Sequence, residues 1–287
     1  ILSIFLHCFS KFIPKKKNLI LFGAWDGLKF RGNCKLLFRS MLKKNREFEC
    51  IWITKNIELC KKLNKNNIPC LYWLSLKGIV KTLRAKVFFV SHSHQDVNYF
   101  LSGGALVINL MHYNYSIKKM GKKIHADTFL LKAYIFLRYP LHYLIDRVDY
   151  YFCVSEFQAS IVKKIYNISK RKNKIKINYG IKKDFLTSNN KSEFFFDFEV
   201  NNSVKLNSNK KNIFFLPTHR KRHTYKFFEY KFNANKLNMF LGKNNANLYI
   251  NFHPHTIFSN VPDFKKYENI IFLKNIGDEN SLILNNI

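Results

Sequence analysis

Histidines, arginines and paired lysines in this sequence recur just after short apolar runs, where a parallel sheet presents groups to a ligand. Three such places stand out. Asn109-Leu110-Met111-His112 precedes Ser116-Ile117-Lys118-Lys119-Met120-Gly121. A histidine directly after a buried strand is well placed to act as a base, and Lys118 and Lys119 suit a phosphate. A capping histidine with solvated lysines is the plainer reading of the same residues. Further on come Leu216-Pro217-Thr218-His219-Arg220 and Phe252-His253-Pro254-His255. Arg220 suits bidentate recognition of phosphate, and Pro254 stiffens the loop that presents His253. Ordinary polar turns would read the same way.

Two earlier loops are less pointed. Gly23-Ala24-Trp25-Asp26-Gly27 leads into Lys29-Phe30-Arg31-Gly32-Asn33. Two glycines around a tryptophan allow close backbone approach to a ligand; a plain turn with Asn33 as the helix cap is equally consistent. Ser91-His92-Ser93-His94-Gln95-Asp96-Val97-Asn98 has a His-x-His-x-Asp spacing that can reach one metal ion. No third histidine is near, so loop hydrogen bonding is the more ordinary role and no metal is assigned.

The elements that position these loops follow from the apolar runs. Strands are expected at Leu19–Phe22, Cys50–Thr54, Cys70–Trp73, Val87–Ser91, Leu106–Leu110, Tyr151–Val154 and Ile175–Asn178. Helices are expected between them at Cys34–Lys44, Ile57–Asn64, Leu76–Leu83 and Phe157–Tyr166. This is the βαβ rhythm of a parallel sheet. After a polar stretch the rhythm resumes with strand Ile213–Leu216, helix Tyr225–Leu241 and strands Leu248–Phe252 and Ile270–Leu273. The expected organisation is an N-terminal segment over residues 1–17, a Rossmann-like domain over 18–186, a linker over 187–211 and the first part of a second Rossmann-like domain over 212–287. The ligand would sit where the strand ends of the two domains face a cleft. With about three strands, the second domain reads as incomplete and the chain as truncated.

Composition narrows the partners. The chain has 287 residues and a formal net charge of +31. Residues 1–185 hold 35 lysines and arginines against 10 acidic residues, so the excess lies mainly there. Lysine outnumbers arginine 40 to 9, so part of the basicity follows codon bias. The rest points to a basic face towards phosphates or anionic lipid. No nucleic-acid recognition motif is present. The six cysteines form no CxxC pair and read as reduced thiols. No run is apolar and long enough to span a bilayer. Phe129–Leu144 mixes aromatic and apolar residues with Lys132 and Arg138. It reads as an interfacial helix or as a core helix kinked at Pro140.

Taken in order, these motifs resemble the CDP-glycerol:poly(glycerophosphate) glycerophosphotransferases. That family carries a Trp/Gly loop after its first strand, like Gly23–Gly27, and a Ser-His-Ser segment, like Ser91–Asn98. Its Trp-His-Gly and Pro-Leu-Lys-Lys signature is partly matched by His112 and Ser116–Gly121. Val154-Ser155-Glu156-Phe157 resembles its helix start, and Gly180–Leu186 its Gly-Tyr-Pro turn. Pro217–Arg220 and His253–His255 resemble two later loops. Here Met111-His112-Tyr113 replaces Trp-His-Gly, Ser116-Ile117 replaces Pro-Leu, and Tyr179-Gly180-Ile181-Lys182 replaces the Gly-Tyr-Pro pattern.

The resemblance implies an α/β, GT-B-like fold and transfer of a polyol phosphate, glycerol phosphate foremost, from a CDP-activated donor, with release of CMP. It implies His112 and His253 as catalytic residues whose roles are interchangeable. It places Arg220, Thr218, Lys118, Lys119 and His255 around the donor's phosphates, and Gly23, Trp25, Gly27, His92 and Asp96 in a cleft loop. No cofactor is implied. The implied partners are the CDP-polyol, an anionic polyol-phosphate or lipid-linked acceptor and the inner face of the cell membrane, with cytoplasmic residence. Two other readings stay open: a nucleotide-sugar glycosyltransferase of the same fold, and an inactive relative that binds polymer or membrane.

Overall fold

In the computed structural model, the structure describes residues 2–44, 47–111, 148–166, 174–177, 180, 181, 187, 206–215, 233–251 and 266–273. By its internal contacts the chain divides into two compact units, residues 1–196 and 197–287.

The first unit opens with helix α1 (Leu2–Phe12) and strand β1 (Lys16–Phe22). Next come α2 (Gly32–Lys44), β2 (Glu49–Thr54), α3 (Ile57–Lys65) and β3 (Cys70–Tyr72). These lead to α4 (Leu76–Arg84), β4 (Ala85–Val90) and β5 (Leu106–Asn109). Its last described elements are β6 (Tyr150–Cys153), α5 (Glu156–Tyr166) and β7 (Ile175–Ile177). The seven strands pair in the order β3-β2-β1-β4-β5-β6-β7, all parallel. That is the Rossmann order with one strand added at the β6 edge. Central parallel strands have both faces covered, so they read as unbroken apolar runs rather than alternating ones. Leu19, Ile20, Leu21 and Phe22 of β1 are all buried, as are Ile51, Trp52 and Ile53 of β2.

Local chemistry sets the helix starts. Asn56 caps α3 by accepting from the backbone N–H of Glu58 and Leu59, and Ser75 caps α4 by accepting from Gly78. At α5, Ser155 Oγ accepts from Gln158 N at 3.1 Å while Gln158 Oε1 accepts from Val154 N at 2.7 Å, close to a capping box. The strand ends lie within three residues of where the apolar runs put them. Asn33 is not a helix cap. The helix begins at Gly32, and Asn33 is buried in its first turn with its amide committed elsewhere.

The second unit contains β8 (Lys211–Phe215), α6 (Ala234–Lys243), β9 (Ala246–Ile250) and β10 (Ile270–Phe272). The strands run parallel in the order β10-β9-β8. Asn233 caps α6 by accepting from Lys236 N, and Leu241, Ala246, Ile250 and Ile270 form its core. The expected helix start at Tyr225 and the segment Phe129–Leu144 lie outside the described residues. No described helix is long and apolar enough to cross a membrane.

Candidate active site

Strand order determines where a site can form. In the first unit the sheet grows one way from β1 to β3 and the other way from β4 to β7. The loops leaving β1 and β4 therefore diverge at neighbouring strand ends, and the crevice between such loops is where open α/β sheets bind ligands. Gly23 N donates to Phe89 O at 3.1 Å across this seam. Two 3-10 turns follow, Trp25–Gly27 after β1 and His94–Asp96 after β4.

Asp96 ties the two turns together. It is fully buried. Its Oδ1 accepts from Asp26 N at 2.7 Å, and its Oδ2 accepts from Ser91 N at 2.7 Å, His92 N at 2.8 Å and Ser91 Oγ at 2.9 Å. Burial alone would push this carboxyl up. The hydrogen bonds and nearby charge of His92, with the Ser91 hydroxyl, outweigh burial and hold it below its ordinary value. Gly23 is required by the same packing: a Cβ there would lie 2.2 Å from the Asp96 carbonyl oxygen.

Hydrogen counting sets the tautomer of His92. Ser91 Oγ gives its one proton to Asp96 and accepts from Trp25 N at 3.1 Å. The His92 Nδ1 lying 2.8 Å from the same oxygen must then be the donor. His92 packs edge-on against Trp25, with centroids 5.5 Å apart, whereas His94 is buried and stacks on Tyr99. The two histidines thus go to different surroundings. Among the described residues, no group of three or more His, Cys, Asp or Glu side chains could hold a metal ion.

Cations gather over the first turn. The Arg31 guanidinium carbon lies 3.4 Å from the Trp25 ring centroid, and Lys29 Nζ lies 5.6 Å from it. Lys55 enters from the end of β2, its Nζ donating to Gln95 O at 2.9 Å. Burial lowers the Lys55 pKa, opposed by the carboxylates of Asp26 and Asp96; burial and then Arg31 lower that of Lys29. Thr54 Oγ1 and Lys55 N both donate to Gly27 O, at 2.8 and 2.7 Å, which fixes the turn from below. Trp25, Asp26 and Gly27 are consecutive left-handed residues, with φ of 54°, 55° and 80°. Such a run at two non-glycine positions is strained, and persists only because its surroundings over-determine it.

Of the expected site residues, Gly23, Trp25, Gly27, His92 and Asp96 come together here. His112, Lys118, Lys119, Thr218, Arg220, His253 and His255 lie outside the described residues. The chain leading into His112 is described. Met111 is buried with φ of 55°, and its N–H donates to Asn109 Oδ1 at 2.7 Å. Asn33 Nδ2 donates to the carbonyls of Leu110 and Met111. Thr54 and Lys55 carried no sequence motif; their contribution arises from strand adjacency alone.

What the arrangement offers is a rigid turn carrying three cations at a switch point, suited to an anionic ligand. No curated protein sequence matches this chain significantly. Solved structures do resemble it. The wall teichoic acid polymerase TagF superposes with a TM-score of 0.70 at 19% identity, over 99% of this chain and 68% of that one. A histidine-to-asparagine variant of that polymerase soaked with CDPG superposes with a TM-score of 0.69 at 19% identity, covering 99% and 67%. An S. aureus MnaA–UDP co-structure reaches 0.50 at 12% identity, covering 94% and 71%. Likeness at these identities identifies the fold, α/β and GT-B-like. Residues 5–285 match the sequence profile of CDP-glycerol:poly(glycerophosphate) glycerophosphotransferase, and with nearly its whole length matched the chain belongs to that transferase family.

Proposed function

We propose that this protein transfers glycerol phosphate from CDP-glycerol to the terminal hydroxyl of a growing polyol-phosphate polymer, releasing CMP. The observation that carries the reading is the family match over residues 5–285. The cationic turn of Lys29, Arg31 and Lys55 at the switch point supports it, because both donor and acceptor are phosphate-bearing.

In the proposed reaction the acceptor hydroxyl attacks the β-phosphorus in line. A new P–O bond forms as the bond from that phosphorus to the bridging oxygen breaks, and CMP leaves with the bridging oxygen. A hydroxyl is a weak nucleophile at neutral pH, so a base must take its proton; His112 is assigned that part. His253 donates a hydrogen bond to the phosphate, and the two histidines are interchangeable in this scheme. Phosphoryl transfer depends mostly on positioning and charge stabilisation, for which Arg220, Thr218, Lys118, Lys119 and His255 are the assigned groups. The acceptor is placed at the inner face of the cell membrane, where a lipid-linked polymer would be extended.

The test is CMP release by the full-length protein with CDP-glycerol, CDP-ribitol and a nucleotide-sugar in parallel, each with a short poly(glycerophosphate) acceptor. Turnover with CDP-glycerol supports the reading. Turnover with the nucleotide-sugar alone replaces it with a glycosyltransferase, and acceptor binding without CMP release replaces it with a binding protein.

A further inference from the structure

Helix α1 is amphipathic in the reverse sense. The residues it turns inward are polar: His7 is 6% exposed and Ser10 not at all. Ser10 Oγ donates to His7 O at 2.7 Å and accepts from Gly103 N at 2.8 Å, and His7 Nδ1 lies 3.4 Å from Ser102 Oγ. The docking is close, since a Cβ on Gly103 would lie 2.2 Å from His7 O. The residues it turns outward are aromatic: Phe5 is 64% exposed, Phe9 48% and Phe12 83%. Their spacing of four and three places them in one stripe along the helix. Three adjacent exposed phenylalanines on a helix whose inner face is already satisfied mark a surface that meets something else.

The charge around the stripe indicates what it meets. Lys11 on the same helix is exposed, Lys15 just after it is half-buried, and residues 1–25 hold no carboxylate. A second copy of the chain would bring the same cations, and at a net charge of +31 copies repel one another. An anionic lipid surface complements both features: headgroups take the lysines and the acyl boundary takes the aromatic rings. Ser10 and His7 hold the inner face of the helix against the protein, so only its outer face is left to meet lipid, and the helix would lie in the surface.

We propose that α1 is an interfacial helix that docks the first unit on an anionic bilayer through Phe5, Phe9 and Phe12. The inference deepens the proposed function by giving the membrane partner a surface on the protein, and it rests on that reading only for its biological purpose.

The test is co-sedimentation of the full-length protein with vesicles of phosphatidylcholine alone and of phosphatidylcholine with about one-third phosphatidylglycerol. The wild type is compared with a triple variant, Phe5→Ser with Phe9→Ser and Phe12→Ser. Exposed Cys8 on the same helix, labelled with an environment-sensitive fluorophore, gives a second readout. The expected result is binding to the anionic vesicles that weakens with salt, a blue shift of the probe, and at least about a tenfold loss of partitioning in the triple variant. Melting temperature and CMP release with a soluble acceptor should be unchanged. Equal vesicle binding by variant and wild type overturns the proposal. So does loss of an oligomer in the variant, seen by light scattering, with vesicle binding intact; the stripe would then be a self-association face. Absence of CMP release in the wild type would count against the transferase reading and leave the vesicle result standing.

Discussion

Asn33 Nδ2 donates to Met111 O at 2.7 Å and, with its other hydrogen, to Leu110 O at 2.9 Å. One side chain from the first turn of α2 thus holds the backbone that delivers His112, with Met111 kept left-handed. Replacing Asn33 by Ala leaves two buried carbonyls without this donor, at about 1–3 kcal/mol for each. The expected outcome is a kcat lowered by at least about tenfold with KM within about threefold, because the group being mispositioned, His112, is the one proposed to act in the chemical step. Steady-state CMP release, measured well below the melting temperature, checks this. A variant that melts earlier but keeps its kcat would reduce Asn33 to a purely structural role.

Asp96 should make the protein sensitive to acid. Its carboxyl is held below the ordinary value of 3.8 in the folded state. The stability it contributes is therefore complete above that value and is lost as pH falls through the folded one. Asp96→Asn removes this dependence and also turns an NH2 towards one of the backbone N–H donors of Asp26, Ser91 and His92. A loss of about 2–4 kcal/mol at neutral pH is expected, with a flatter acid limb. Urea denaturation between pH 3 and pH 7 measures both, and an unchanged midpoint would remove Asp96 as the tie between the two turns.

The turn itself makes a backbone prediction. Asp26 sits at φ 55°, where glycine and asparagine are tolerated and branched residues are not. Asp26→Gly should leave stability within about 1 kcal/mol, whereas Asp26→Val should cost about 1–2 kcal/mol. Gly23→Ala is more severe, since its Cβ would meet Asp96 backbone atoms at 2.2 and 2.6 Å, neither of which can swing away. Overpacking of about 1–3 kcal/mol is expected, seen as a lower melting temperature. Wild-type melting of Gly23→Ala would show that the seam can open.

The strands were legible because parallel central strands are apolar on both faces, and runs such as Leu19–Phe22 have no other simple reading. The family resemblance was legible because His112, Arg220 and His253 follow such runs in a fixed order. Strand order came only with the Rossmann-like expectation and the family resemblance; the residues of β1 and β4 do not by themselves encode the adjacency that makes one site of Gly23, Asp26 and Asp96. The spacing of His92, His94 and Asp96 allowed one ligand set, with loop hydrogen bonding the more ordinary role; in the fold backbone donors occupy Asp96 and the two imidazoles separate. Asn33 read as a cap because the amide chemistry is the same; its actual partners are 77 and 78 residues away. Helix α1 was anticipated as the tail of a helix but not its facing, since which face of it turns inward depends on Gly103, far along the chain.

The six cysteines should separate cleanly by reactivity. Cys8 is exposed, while Cys34, Cys50, Cys60, Cys70 and Cys153 are buried. Burial also raises the Cys50 and Cys153 thiols to about 11 and pushes Cys34 and Cys70 up. Both effects starve a thiol reagent of thiolate. Under native conditions a disulfide reagent should release about one equivalent of chromophore, abolished by Cys8→Ser, with the rest appearing only on unfolding. Two or more fast thiols would contradict the burial.

Those thiols and Lys15 together predict where stability peaks with pH. Lys15 Nζ donates to Ser10 O at 3.0 Å and Leu83 O at 2.6 Å, half-buried at the foot of α1. Burial, followed by the charge of Lys86, lowers its pKa from 10.5 to about 8. Below about 8 both folded and unfolded states carry the proton, and the folded state bears the full cost of the charge. Between about 8 and 10.5 the unfolded chain binds more protons, so this residue makes stability rise with pH. The cysteines act oppositely. Their folded values lie above the ordinary 9.0, so their contribution is complete below that value and fades as pH rises through the folded ones. The two trends cross, and melting temperature should climb modestly from pH 7.5 to a maximum between about 8.5 and 9 and then fall. Lys15→Met removes the rising limb and leaves the fall. Thermal denaturation of both proteins at half-unit steps of pH decides it, and a wild type whose melting temperature declines steadily from pH 7.5 would show that Lys15 keeps its ordinary affinity for the proton.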